Sequence, residues 1–313
     1  MTSIPVFGAA AVEAAVPPER AVEVVRDAFI AYARGEWTMP AKVYVPAYPA
    51  GDFRAMPALG GGHALLKWVT SFPGNPAVGL PTVTGLVLLS DASNGMPEAV
   101  LDAGAVTALR TGAAAVLAAE TLGRDDAGAA AVIGAGVNGR AAARTFVARG
   151  RDVLIWDVDA GRAEATASAV DARVAGSRDK ALTADVVVTV TPGHEVIFGA
   201  GSLRAGQHAS LMGADGPGKS EIAVEEFARV RVFCDDWEQA SHNGDLVHGV
   251  AAGVVSRESV SELGAVLAGT AQGRRSPEEI TLFDSTGLAI QDLAVALAAM
   301  EQARELDLPA ISL

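Results

Sequence analysis

The chain has 313 residues, is half hydrophobic and carries a formal charge of −13, enough length and apolar content for two domains with a sizeable core. That acidity argues against nucleic acid or an anionic membrane as partner, since either selects for a basic face. One cysteine, Cys234, excludes an internal disulfide, and the five histidines show no metal-ligand spacing, so no metal and a reducing, cytoplasmic setting are expected. No basic segment leads into an apolar core near Met1, and no apolar run is long enough without a charge to span a bilayer.

In chain order, Pro17-Pro18 opens a helix to about Arg34, with Val22, Val25, Phe29 and Tyr32 on one face and Gly35 at its end. From Thr38 to Asp102 the pattern turns to short β-rich runs: Lys42–Val45, Phe53–Leu59, Leu65–Ser71, Val83–Ser90 and Ala99–Asp102. Asn94-Gly95 is a hairpin signal, because both residues tolerate positive φ. The block reads as an antiparallel sheet. Ala103–Leu122 is a helix rich in small residues that leads into the next domain.

An apolar strand, Ala129–Ile133, then runs into Gly134-Ala135-Gly136-Val137-Asn138-Gly139, with a helix over Arg140–Arg149 and a strand over Asp152–Trp156 ending at Asp157. This is the order needed for a dinucleotide. Gly134 closes the turn, Gly136 admits a pyrophosphate, Gly139 lets helix pack on strand, and the diphosphate sits at the helix N-terminus. The Asp157 carboxylate suits ribose hydroxyls and repels a 2′-phosphate, which favours NAD(H) over NADP(H); Arg162, five residues on, is the one group that argues the other way.

Beyond Asp157, helix Ala160–Val170 and strand-like runs at Ala172–Ala175, Asp185–Thr191, His208–Met212 and Arg229–Phe233 continue the alternation, followed by helix Ser259–Ala268, strand-like Ile280–Asp284 and a helix from about Leu288 to Leu306. Repeated strand–helix units predict a doubly wound parallel sheet. The fold class is therefore α/β: a Rossmann-type domain over residues 120–289, plus an α+β substrate and dimerisation domain over 1–119 completed by a helix at 290–313, with a joint near Glu120.

Four segments carry candidate chemistry. Arg54 and Lys67 fall in strand-like surroundings, where a cation is costly unless it meets an anion; a substrate carboxylate or a protein acid would serve. Arg110-Thr111 lies in the small-residue helix, with room for a phosphate or carboxylate, or for an interdomain salt bridge. Asp215, in Leu211–Lys219 (LMGADGPGK), follows a nucleotide-domain strand, and loops leaving strand carboxyl ends border the ligand crevice. It is placed to act as a general acid/base or to stabilise a glycine turn.

Together GDFRAMPA, KWV, NPxxGLPTV, LRTGAA, GAG, GADGPGK, DDWEQA and EEITLFDSTGLAIQD resemble the ornithine cyclodeaminase/mu-crystallin family, most closely its archaeal-type alanine dehydrogenase branch, from about Met39 to Gln291. The resemblance implies that Lys67 contacts the substrate carboxylate or imine region, that Arg54 binds the carboxylate, and that Asp215 is the acid/base. It also implies that Thr82, Arg110 and Thr111 line cofactor and substrate. With Gly134, Gly136, Val137, Asn138, Asp157, Thr191 and Gly213 these complete the cofactor set. A homodimer built by pairing the non-nucleotide sheets is implied as well. Asn138-Gly139 stands where family members often carry Gln-Ala, which restores the full glycine fingerprint. Cyclodeaminases have a glutamate at the place of Arg54 and an arginine near Lys42. That exchange disfavours a second substrate ammonium group and favours a small or apolar α-keto acid.

The resulting expectation is an NAD-dependent oxidoreductase of amino acid metabolism, interconverting an α-amino acid with its keto acid or imine. The alternatives are an ornithine cyclodeaminase-type lyase with recycled NAD, and a ketimine reductase or binding protein of the mu-crystallin kind. His242 and Asp284 carry no role beyond shaping the crevice or a subunit contact, and a helix-dipole role suffices for Asp292.

Overall fold

The structure is a computed structural model and describes residues 3–216 and 218–312; Pro217 of the GADGPGK motif lies outside the described residues. In chain order the elements are β1 (Ser3–Phe7), α1 (Ala9–Ala15), α2 (Pro18–Ala33), β2 (Val43–Ala47), β3 (Gly51–Gly60), β4 (His63–Ser71), β5 (Val83–Asp91), β6 (Pro97–Asp102) and α3 (Ala103–Leu122). There follow β7 (Ala130–Ile133), α4 (Val137–Ala148), β8 (Val153–Trp156), α5 (Ala160–Val170), β9 (Arg173–Val174), α6 (Arg178–Ala181), β10 (Val186–Thr189), β11 (His208–Leu211) and β12 (Arg231–Cys234). The chain ends with α7 (Trp237–Asn243), α8 (Leu246–Ala251), β13 (Val260–Glu262), α9 (Leu263–Leu267), β14 (Thr281–Asp284), α10 (Ala289–Glu301) and β15 (Ala310–Ser312).

These elements form two compact units, Met1–Arg110 with Leu288–Leu313, and Thr111–Gly287. The division falls inside α3, whereas the sequence places the joint near Glu120. α3 is long and apolar enough to span a membrane by length and composition, yet it carries Arg110 and is mostly buried in protein.

The first unit holds a seven-stranded sheet of order β15-β1-β6-β5-β4-β3-β2. All neighbours are antiparallel except β1 and β6. Strict alternation, the period-2 geometry of a pleated strand, sorts its side chains. Arg54, Met56, Ala58, Leu65, Lys67, Val69, Val87 and Leu89 point to a buried face, while Leu66, Trp68, Leu86 and Leu88 remain exposed on the other. α10 packs on β3, β4 and β5, and α2 packs on α10. Val22, Val25 and Phe29 of α2 are buried as expected, with Tyr32 half-buried. At the β5–β6 turn Gly95 takes positive φ, but Asn94 does not. Asp91 holds that turn instead, accepting from Ser93 N–H (2.7 Å) and Asn94 Nδ2 (2.9 Å).

The second unit holds an eight-stranded sheet of order β13-β12-β14-β11-β10-β7-β8-β9, parallel throughout. β7, β10, β11 and β14 are buried along their whole length, as strands covered on both faces must be. Two sequence expectations are corrected. α4 begins at Val137, because Gly136 is already the extended cap residue, so Asn138 and Gly139 lie in its first turn. Ser259–Ala268 is not one helix: Val260–Glu262 pairs with Val232–Cys234 as the edge strand β13 before α9 starts. Sheet pairing there overrides local propensity.

Candidate functional site

The chain reverses its winding direction at β7, which lies between β10 and β8, and ligands of open α/β sheets bind outside the strand carboxyl ends at such a switch point. The glycine turn stands there. Gly134 has φ +101°, and a Cβ built on it would lie 2.5 Å from the Val190 carbonyl oxygen. A Cβ on Gly139 would overlap the Gly134 carbonyl oxygen, so helix and strand meet at a separation only glycine permits. A Cβ on Gly136 would meet nothing within 4 Å. α4 has no side-chain cap, so its first N–H groups at Val137 and Asn138 face that open space as an anion cradle. These residues fit a dinucleotide diphosphate.

Asp157 follows β8. Its Oδ2 accepts from Ala135 N–H at 2.7 Å, its Oδ1 accepts from Asp159 N–H at 2.9 Å, and Arg162 Nη1 lies 3.6 Å away. The carboxylate is therefore locked beside the glycine turn, and Arg162 is engaged by Asp157 and by Asp159 at 3.5 Å. Thr191 and Gly213 sit after β10 and β11 and are tied to one buried acid, Glu221. Thr191 Oγ1 donates to it at 2.6 Å and Gly213 N–H at 3.0 Å. Asp215 is one-third exposed, with Lys219 Nζ 2.6 Å from its carboxylate. Thr111 is buried, and its hydroxyl has no hydrogen-bond partner among the described residues.

The first unit assembles a second cluster on the buried face of its sheet. Lys67, 1% exposed, places Nζ 2.7 Å from Asp292 Oδ2 and 3.3 Å from Thr107 Oγ1. Arg110 Nε is 3.5 Å from the other Asp292 oxygen. Burial drives the Lys67 ammonium down to about 7, the Asp292 charge opposes that fall, and Arg110 and Lys42 reinforce it. Two cations thus share one carboxylate, and the excess positive charge suits an incoming carboxylate. Asp292 stands in the first turn of α10.

Arg54 takes the protein-acid alternative left open by its sequence context. Its Nε donates to Asp52 Oδ1 at 2.6 Å, and its guanidinium lies 5.3 Å from the Tyr44 ring centre. Asp52 offsets much of the Arg54 charge. Thr82 is half-buried ahead of β5, its carbonyl accepting from Phe72 N–H at 2.8 Å.

The sequence singles out Lys67, Arg110, Asp215 and the glycine turn, and does not assign Asp52, Asp292 and Glu221 as the partners of Arg54, of Lys67 and Arg110, and of Thr191 and Gly213. The overlooked signal at Asp292 is a lone acid inside AIQDLAVALAAM, since a carboxylate in an apolar helix face needs a cation. Among the described residues no three His, Cys, Asp or Glu are grouped to hold a metal ion.

Comparison with known proteins bears on this arrangement. The profile of the ornithine cyclodeaminase/mu-crystallin family matches residues 6–307. Alanine dehydrogenase of Archaeoglobus fulgidus is 42% identical over 301 residues, covering 93% of this chain and 92% of that protein. An archaeal alanine dehydrogenase dimer with bound NAD superimposes with a TM-score of 0.93 at 38% identity, covering 99% of each chain. Thermococcus litoralis Δ1-pyrroline-2-carboxylate reductase, in complex with NADH and L-proline, gives 0.92 at 26% identity over 99% of this chain and 100% of that one. With a family profile matched across nearly its whole length, the chain belongs to the ornithine cyclodeaminase/mu-crystallin family.

Proposed function

We propose that the protein is an NAD(H)-dependent oxidoreductase that interconverts an α-amino acid with the corresponding imino or keto acid, alanine and pyruvate being the first pair to test. The observation that carries this reading is the buried Lys67–Asp292–Arg110 cluster, whose surplus cation matches an α-carboxylate. Both solved structures named above are of enzymes that act on or bind compounds of this class, with NAD or NADH bound.

In this reading Lys67 and Arg110 hold the substrate carboxylate, and Arg54 with Asp52 borders the same buried sheet face. Asp215, steadied by Lys219, exchanges a proton with the substrate nitrogen or with water. Gly134, Gly136, Val137 and Asn138 cradle the diphosphate, and Asp157 meets the adenosine ribose. Bound NAD(H) supplies or accepts the hydride. Orientation of donor and acceptor accounts for much of the rate, worth about 7–11 kcal/mol in well-aligned systems.

Oxidation of NADH with pyruvate and ammonia tests the assignment, and net NADH formation from the amino acid tests the reverse direction. Turnover of cyclic ketimines without pyruvate amination moves the protein to imine reduction. Ammonia release from a diamino acid without net absorbance change moves it to the lyase reading.

The chain works as a homodimer in this proposal. Leu66, Trp68, Leu86 and Leu88 expose 41%, 42%, 58% and 39% of their surface on one sheet face, beside Val43 and Val45. A contiguous apolar face of this kind suits a second copy of the same chain.

A further inference from the structure

Glu221 lies in the second unit, is wholly buried, and has no place in the chemistry described so far. Its Oε1 accepts from Thr191 Oγ1 (2.6 Å) and Thr191 N–H (3.2 Å), both in the loop after β10. Its Oε2 accepts from Gly213 N–H (3.0 Å), in the loop after β11, and from Thr189 Oγ1 (2.7 Å) at the end of β10. The backbone packs tightly at this place, since a Cβ on Gly213 would lie 2.5 Å from Glu221 Oε1. Glu221 is itself held from behind: its N–H donates to Asp245 Oδ1 at 2.6 Å, and that oxygen also accepts from Ser220 Oγ at 3.1 Å.

We propose that Glu221 is a positioning residue that fastens the Thr191 loop to the Gly213 loop and so sets where Asp215 stands over the crevice. The inference rests on the acid/base reading of Asp215, two residues beyond Gly213. A backbone N–H can only donate, and each carboxylate oxygen receives one, so both oxygens must accept. An amide in the same place turns an NH2 toward one of the two N–H groups and forces that loop away. Burial raises the proton affinity of Glu221, and the hydroxyl and amide donors oppose the rise. Both Glu221 oxygens are satisfied, and buried hydrogen bonds of this kind rigidify what they connect; a displacement of about 1 Å at a catalytic group costs on the order of a hundredfold in rate.

The test is Glu221→Gln, read by hydrogen exchange of the apo protein and by steady-state kinetics. Amide exchange should rise at least tenfold in peptides covering the Thr191 and Gly213 loops and stay unchanged in the first unit. The kcat should fall about 10- to 100-fold, with KM for the organic substrate within about threefold because Lys67 and Arg110 are untouched. Thr189→Val, which removes one donor and keeps the carboxylate, should loosen the same two loops to a smaller degree; it serves alone if the Gln variant does not fold. Unchanged exchange at both loops overturns the proposal. So does a rise spread over the whole chain, which marks a purely structural acid. Asp215→Asn with undiminished kcat would instead remove the acid/base reading, while loop exchange would still decide the role of Glu221.

Discussion

Removing the carboxylate of Asp292 should move the pH dependence of substrate capture, by an amount that the 2.7 Å contact with Lys67 bounds. Burial has brought the Lys67 ammonium to about 7 against the pull of Asp292, and only the charged amine attracts a carboxylate. In the native protein kcat/KM should therefore fall as pH rises through about 7. Asp292→Asn deletes a charge whose attraction at that distance is about 1.5 kcal/mol at the dielectric of bulk water and about 6 kcal/mol at an effective dielectric near 20. Since one pKa unit is about 1.4 kcal/mol, the basic limb should move down by at least about one unit. At pH ~8 the variant should lose about tenfold or more in kcat/KM, and the two curves should converge as the medium becomes acidic. The assay is a kcat/KM profile in the organic substrate at saturating NADH, with thermal unfolding measured at two pH values. The drop in Tm should be larger at pH ~6 than at pH ~8, because a buried amine without its anion is costly only where it must hold its proton. A basic limb that stays where it was, with KM unchanged, refutes this assignment of Lys67 and Asp292.

The second and third glycines of the turn should separate fold from ligand. Gly136→Ala adds a methyl group where nothing lies within 4 Å, so the protein should keep its Tm while NADH fluorescence titration shows weakened binding. Gly139→Ala should lose both, because its Cβ would overlap the Gly134 carbonyl oxygen; equal effects of the two variants would contradict the cradle. Asp157→Ser releases Arg162 from a carboxylate 3.6 Å away and should raise the NADP-to-NAD ratio of kcat/KM about tenfold or more, an outcome refuted by an unchanged ratio. Leu86→Asp, on the exposed sheet face, should yield monomers in size-exclusion chromatography with light scattering, whereas a native monomer would end the homodimer proposal.

Much of the fold is written in local pattern. The run ending at Ile133 reads as a strand because a strand covered on both faces needs an unbroken apolar stretch, the runs ending at Thr191 and Met212 read so from the strand–helix alternation, and β7, β10 and β11 appear within those limits. β4 shows the other period: Leu65, Lys67 and Val69 alternate with Leu66 and Trp68, so Lys67 stands out as a cation on a buried face. β1, β13 and β15 were not legible. β1 pairs with β6 and β15, and β13 exists through its ladder to β12; each depends on a partner far along the chain.

The site divides the same way. The sequence by itself determined the glycine turn with Asp157, and the residue types Lys67, Arg110 and Asp215, because backbone conformation at glycine and the cost of a buried charge are local properties. Tertiary structure decided what those charges meet: Asp292 on α10 for Lys67 and Arg110, Asp52 for Arg54, and Glu221 beneath the two crevice loops. Charge pairing and buried hydrogen bonds act over a few ångströms in space whatever the separation along the chain, so only the folded arrangement could assign these partners.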